Sequence, residues 1–284
     1  MMHIQLESQV YGKSSVRLTK VSRGAERHEL SELAIDIALE GDFAESYLVG
    51  DNRRVVATDT MKNTVYALAA DHPLESPESF AITLADWFVT RNSHVTSATI
   101  DAKQNNWKRI ETASGVHRHS FRGGGEERRT CRVRRTRDSV SWTAGLSGLP
   151  LLKTTDSAFK DFVRDEFTTL PDVDDRIFAT LLNSTWNYER VPADWNAAHA
   201  RIVSAMIDVF ADHFSLAVQQ TLYAMGAAAL EAVPEAKSIR LEMPNQHRIP
   251  FNVQALGKEH RNEIFVTTGE PFGLITAVLT RDEQ

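Results

Sequence analysis

Apolar and polar residues alternate along two early stretches of the chain. Val16 and Leu18 alternate with Arg17 and Thr19, and Leu33, Ile35, Ile37 and Leu39 alternate with Ala34, Asp36, Ala38 and Glu40. A period of two gives each stretch one apolar face, so residues 10–21 and 28–41 are predicted strands, with Ser22-Arg23-Gly24 in the hairpin turn. The period then lengthens. Met61, Val65, Leu68 and Ala69 fall on one helical stripe over 60–70. Thr58, Asp59 and Thr60 stand where a side-chain oxygen caps free amides. Ser76-Pro77-Glu78 opens a second helix, 77–92, with an apolar face of Phe80, Leu84, Trp87 and Phe88. Strands return at 96–110, 116–122 and 128–136, and Gly123-Gly124-Gly125 reads as a hairpin loop.

The second half repeats this order. Strands are predicted at 139–146 and 176–188, helices at 195–213 and 217–232, and strands at 236–243, 261–267 and 272–279. The halves share no residue-level identity, so the repeat is one of architecture. It predicts an α+β fold of two tandem units, each a four-stranded antiparallel sheet with two helices on one face. The units are expected at 1–138 and 139–284, because a basic run there gives way to Val140 and Trp142. Long sheet edges are not left unpaired in natural proteins. Edge pairing with further copies would close the sheets into barrels, so a homo-oligomer is expected.

Composition narrows the chemistry. The 284 residues are 42% hydrophobic and 25% charged, with net charge -6 and pI about 5.9, ordinary for a globular protein. An acidic balance makes nucleic acid an unexpected partner of the whole surface. Residues 117–137 nevertheless hold Arg118, Arg122, Arg128, Arg129, Arg132, Arg134, Arg135 and Arg137, read as arginines alternating on the outer face of a strand pair. Cys131 is the single cysteine, which excludes an intramolecular disulfide and a multi-cysteine metal site. No apolar run reaches the length that spans a bilayer, and no membrane partner is expected. There is no signal pattern at the start and no peroxisomal tripeptide in Asp282-Glu283-Gln284, so a cytoplasmic location is expected.

Three distant segments carry the candidate chemistry: Tyr11-Gly12-Lys13, Val56-Ala57-Thr58-Asp59-Thr60, and Leu241-Glu242-Met243-Pro244-Asn245-Gln246-His247. A lysine, a threonine and a histidine suffice for a proton relay. Singly, each has an ordinary reading as a solvated strand-end lysine, a helix cap or a surface histidine. Other candidates are weaker. His117 and His119 share one side of a strand but lack a third metal ligand. Asp172, Asp174 and Asp175 lack the glycine and terminal glutamate of a calcium loop. No phosphate loop, dinucleotide fingerprint or nucleophile elbow is present.

The three segments together resemble urate oxidase (uricase), and the resemblance runs from Tyr11 to about Val278. Further matching stretches include His119-Ser120-Phe121, Leu146-Ser147-Gly148-Leu149 and Phe162-Val163-Arg164-Asp165-Glu166-Phe167. Asp175-Arg176-Ile177, Val218-Gln219, Pro244-Asn245, His247 and Gly273-Leu274-Ile275 also match. The resemblance implies the tunnelling fold, a homotetramer with active sites between subunits, and oxidation of urate by O2 to 5-hydroxyisourate and hydrogen peroxide without metal or organic cofactor. It also implies roles. Lys13, Thr58 and His247 would form the relay. Arg176 and Gln219 would clamp the purine edge, with the Val218 amide assisting and Phe159 stacking on the ring. Asn245 with Thr58 would hold O2 or water, and Asp59 is counted among the substrate-binding positions. Lys13 and Thr58 would come from one subunit and the remainder from another. The chain departs from the family at Gln246, Ala217 and the arginine-rich hairpin. A zinc-dependent tunnelling-fold enzyme acting on a pterin or purine, and a non-catalytic purine-binding protein, are the competing readings.

Overall fold

The computed structural model describes residues 4–282, so Glu283 and Gln284 of the C-terminal tripeptide lie outside the described residues. The chain divides into two compact units. The first runs to Gly145 and takes in Ala193–Asn196; the second holds Leu146–Pro192 and continues from Ala197.

The first unit contains β1 (Tyr11–Arg23), β2 (His28–Gly41), a short α1 (Ala44–Leu48), α2 (Thr58–Asp71), α3 (Pro77–Arg91), β3 (Val95–Thr112) and β4 (Gly115–Thr136). The strands form an antiparallel sheet in sequence order. One face carries Val16, Leu18, Ile35, Ile37, Leu39, Ile100 and Val133, which share a core with Met61 and Val65 of α2 and Phe80, Leu84 and Phe88 of α3. Burying each such side chain stabilises the fold by roughly 1.5–3 kcal/mol. Ser76 caps α3 as expected, accepting from the Ser79 amide at 3.1 Å. Trp87 lies outside the buried stripe, 37% exposed, with the Arg91 guanidinium 4.6 Å above its ring.

Three expectations need correction here. Gly123-Gly124-Gly125 is not a hairpin loop. The two strands predicted on either side of it are one strand, β4, and the β3–β4 turn falls at Ala113-Ser114. From Asn105 to Trp107 β3 advances two residues while its partners run from Arg128 to Gly123. The glycines therefore form a bulge, where Gly125 adopts φ +107 and Gly124 leaves no room for a Cβ beside the Asn106 amide. Secondly, the arginines do not all face outward. Arg132 and Arg134 pair across the outer face with Asp101 and Glu40 at 2.7 and 2.8 Å. Arg129 and Arg135 point the other way, to Glu78 and Asp86 of α3 at 2.7 and 2.8 Å. Thirdly, Thr58 does not cap α2. The cap position is Ala57 and no side chain bonds there, so the Thr58 hydroxyl is left for other work.

The second unit contains the continuation of β5 (Val140–Lys153), then β6 (Phe178–Tyr188), most of α4 (Trp195–Asp212), α5 (Val218–Ala232), β7 (Ala236–Asn245), β8 (Arg248–Pro250), β9 (Phe265–Thr267) and β10 (Gly273–Thr280). Its sheet order is β5-β6-β7-β10. The strand predicted at 261–267 is cut to three residues, and among the described residues β9 pairs with β8 and not with this sheet. Asn262 at φ +59 breaks the extended backbone before it. A 3₁₀ turn at Val253–Leu256, unforeseen in the sequence, fills part of the intervening loop. Among the described residues no helix is long and apolar enough to cross a membrane.

Candidate active site

Lys13 owes its position to an irregularity in β1. Lys13 pairs with Ile37 and Val16 with Ile35, so β1 inserts one residue between them. Ser15 takes φ +57 there and its amide donates to the Asp36 carboxylate at 2.6 Å. In an antiparallel pair, opposed residues share a face. Lys13 therefore lies on the same face as buried Ile37, toward the helices, and is itself half-buried. Gly12 makes the close strand approach possible, since a Cβ would sit 1.7 Å from the Ile37 carbonyl oxygen.

Thr58 is the first residue of α2 and Asp59 the second; both are exposed. The Lys62 ammonium hydrogen-bonded to Asp59 holds that carboxyl below the usual range, and the Lys13 charge adds to the effect. Asp59 also accepts from the Asn63 amide at 2.9 Å. It is thus engaged within α2. Tyr11 links the two segments: its hydroxyl accepts from the Val56 amide at 2.8 Å and donates to the Val56 carbonyl at 3.2 Å.

The second unit gathers the other positions. Phe159, Arg176, Val218, Gln219, Asn245 and His247 line one cavity of about 210 Å³, together with Leu170 and Ile275. Phe159 is held by paired backbone bonds to Val173 at 2.8 and 2.9 Å, and its ring stacks on Phe162 at 5.0 Å. Arg176 follows Asp175, whose carboxylate accepts from Thr155 at 2.7 Å and from the Ser157 amide at 3.3 Å. The Arg176 amide donates to the Ser157 carbonyl at 2.8 Å. The chain entering the cavity is thereby fixed at the residue that supplies its charge.

The Arg176 guanidinium lies 5.4 Å from the Phe159 ring centre. Burial lowers its pKa from the usual value, and its Nε is buried without a hydrogen-bond partner among the described residues. A half-buried cation whose Nε lacks a partner carries a desolvation cost, and an anionic ligand with a planar, hydrogen-bonding edge would relieve that cost. Val218 and Gln219 begin α5, where Ala217 provides no side-chain cap. Amides in a first turn lack intrahelical partners and favour negative charge. Asn245 ends β7, paired with Thr180 and Gly273. His247 follows in the link to β8, its carbonyl accepting from the Thr268 amide at 3.2 Å.

A larger cavity of about 730 Å³ shares Arg176, Asn245 and His247 and extends past Ile249 and Phe265. Cys131 is buried, and that burial pushes the thiol pKa well up, which disfavours the nucleophilic thiolate. The His117 and His119 rings lie 4.6 Å apart, but no group of three metal-ligating side chains that could hold an ion occurs among the described residues. Sequence reasoning assigned no role to Leu170 or Ile275, which complete the cavity wall, or to Tyr11.

Comparison with known proteins shows the family. The Uricase family model matches residues 9–134 and 142–276. The chain is 39% identical over 272 residues to a uricase of Arthrobacter globiformis, covering 96% of this chain and 88% of that one. It is 35% identical over 278 residues to a uricase of Dictyostelium discoideum, covering 96% of each. The crystal structure of uricase from Arthrobacter globiformis superposes with a TM-score of 0.94 at 38% identity, covering 100% of this chain and 97% of that one. The chain belongs to the uricase family.

Proposed function

We propose that the protein oxidises urate with O2 and water to 5-hydroxyisourate and hydrogen peroxide, using no metal or organic cofactor. Urate gives up two electrons, O2 takes them with two protons, and water supplies the new hydroxyl. The observation that carries this reading is Arg176, its Nε without a partner among the described residues, in a cavity also lined by an aromatic ring, two amide side chains and a helix N-terminus. That set suits a flat, polar-edged anion. Arg176 and Gln219 grip its edge, the Val218 amide assists, and Phe159 covers its face. Holding the ring fixes its reacting carbon relative to O2.

Triplet O2 reacts slowly with closed-shell molecules, so urate must first become electron-rich by losing a proton. Lys13 draws that proton through the Thr58 hydroxyl, and His247 adjusts the charge on Lys13. Thr58 and Asn245 hold O2, and later water, above the ring, with Asp59 beside them. The chemistry needs groups from both units: Lys13, Thr58 and Asp59 belong to the first, the remaining site residues to the second. We read residues 1–138 and 139–284 as tandem tunnelling-fold units that close into barrels with other copies. In the resulting homotetramer, Lys13 and Thr58 of one copy complete the cavity of another. Val163 and Phe167, 95% and 81% exposed, follow Phe159 in sequence, and apolar exposure of that degree suits burial against a second copy. The unpaired Cys131 fits a reducing compartment, the cytoplasm.

The test is urate disappearance by ultraviolet absorbance in air, with a chelator present and peroxide assayed alongside. Equal loss of urate and gain of peroxide supports the reading. Binding of a urate analogue by folded protein without O2 uptake would leave only a binding protein, and activity that required added zinc would point to a metal-dependent relative.

A further inference from the structure

We infer that Tyr11 is a positioning residue whose phenol sets the spacing between Lys13 and Thr58. The inference rests on the relay reading above and assigns a residue that the relay does not contain. Tyr11 stands two positions before Lys13, and its bonding partner Val56 stands two positions before Thr58. The phenol makes both bonds with Val56, accepting the amide hydrogen at 2.8 Å and donating to the carbonyl at 3.2 Å. This double clasp joins two backbones 45 residues apart at matching distances from their functional side chains.

The clasp is anchored at the ring as well. Tyr11 meets Phe43 edge to face at 4.7 Å, and Phe43 is 1% exposed. Tyr11 pairs with Leu39, which is fully buried, so the ring has little freedom. Burial keeps the phenol protonated by pushing its pKa up, which preserves the donor the clasp requires. The side-chain bonds from β1 to α2 and its C-terminal cap lie farther along. Tyr66 donates to the Arg17 carbonyl at 2.9 Å, and Lys20 donates to the carbonyls of Ala69 and His72 at 2.8 and 2.6 Å. They hold the helix on the sheet without acting on the segment before Thr58.

Tyr11→Phe keeps the ring on Phe43 and removes only the clasp. Tyr66→Phe removes a comparable tyrosine-to-backbone bond, one that joins α2 itself to β1, and serves as the control. With both variants at matched folded fraction, Tyr11→Phe is expected to lower kcat roughly tenfold, since misplacing a reacting group by a fraction of an ångström is costly. Its KM for urate should stay within about twofold, because the cavity residues of the second unit do the binding. Its solvent deuterium isotope effect on kcat should rise, as proton transfer across a loosened pair becomes slower. Tyr66→Phe should keep the wild-type kcat and isotope effect. An unchanged kcat in Tyr11→Phe overturns the inference. So does an equal loss in Tyr66→Phe, or a loss with no change in isotope effect, because either would mark a general structural role. Lys13→Met is run beside them. Wild-type turnover in Lys13→Met would instead remove the relay itself, whereas an inactive Lys13→Met with a normal Tyr11→Phe removes only the clasp.

Discussion

Lys13, Thr58 and Arg176 divide the proposed work between proton transfer and grip, and single substitutions separate the two. Lys13→Met removes the proton acceptor while keeping most of the stem, and Thr58→Ala removes the hydroxyl that passes the proton. Each is expected to lower kcat by roughly 10²–10⁴ with little change in binding of a urate analogue. Wild-type turnover in Lys13→Met would defeat the assignment. Arg176→Ala removes a charged donor whose Nε has no hydrogen-bond partner among the described residues. Loss of such a bond costs about 1.5–3 kcal/mol, or roughly ten- to a hundredfold in analogue Kd by titration calorimetry. The residues were legible as candidates through the ordered short motifs that resemble urate oxidase, since Lys13, Thr58 and His247 each have an ordinary reading when taken singly. Tyr11 was not legible. A phenol bonded to a backbone 45 residues away leaves no periodic trace. The expected cap by Thr58 failed for a related reason, since a threonine one residue inside the helix looks the same in sequence as one at its cap.

The long, regular elements were legible because burial writes their period into the sequence: Ile35, Ile37 and Leu39 alternate inward on β2, and Met61, Val65 and Ala69 fall on one stripe of α2. The triple glycine was misread because a bulge and a turn both require glycine, and only the pairing register tells them apart. The inward arginines were missed although the neighbours Arg128-Arg129 and Arg134-Arg135 must face opposite ways on a strand. Arg129 forms an ion pair with Glu78 in which the two side chains are 11% and 1% exposed. Burial pushes the Glu78 carboxyl up, and Arg129 pulls it back. Breaking such a pair costs about 3–5 kcal/mol. Arg129→Met should therefore lower the Tm by roughly 10 °C, at about 2–4 °C per kcal/mol. Replacing both groups, Glu78→Leu with Arg129→Met, should recover much of the loss in the same melt; a double variant weaker than the single would refute this account. The Arg176 segment carries a pH signature of opposite origin. The Thr155 hydroxyl holds the Asp175 carboxyl below its usual value. A depressed folded pKa stabilises above the unfolded pKa and is lost as pH falls through the folded one. Analogue affinity should thus fall on acidification below the ordinary aspartate range. The fall attributable to this segment should vanish in Asp175→Asn, already weakened at neutral pH; an identical pH dependence in both proteins would sink the idea.

At the scale of the whole molecule, the two sets of site residues belong to different units of the chain, and the proposed site takes each set from a different copy. This arrangement has a consequence that no single variant displays. A copy carrying Lys13→Met still offers an intact Arg176 cavity, and a copy carrying Arg176→Ala still offers an intact Lys13 and Thr58. Each homo-oligomer lacks one half of every site, so at urate well below the wild-type KM, where the weakened grip of Arg176→Ala also limits turnover, both should be nearly inactive. In an oligomer reassembled from equal amounts of both, a site is intact when its first half comes from the second variant and its second half from the first. Random assembly makes that true of about a quarter of the sites, so mixing should restore roughly a quarter of wild-type activity per subunit. Recovery requires the copies to exchange, so the two variants are co-expressed with different tags and the mixed species isolated through both. If one chain supplied both halves, every site in the mixture would carry one damaged half and no activity would return. The measurement therefore decides between copies that share a site and copies that each complete their own, and it does so without knowledge of how the two units of one chain are arranged. Loss of all activity on dilution to monomer, followed by light scattering, would agree with the first outcome, whereas an active monomer would rule it out.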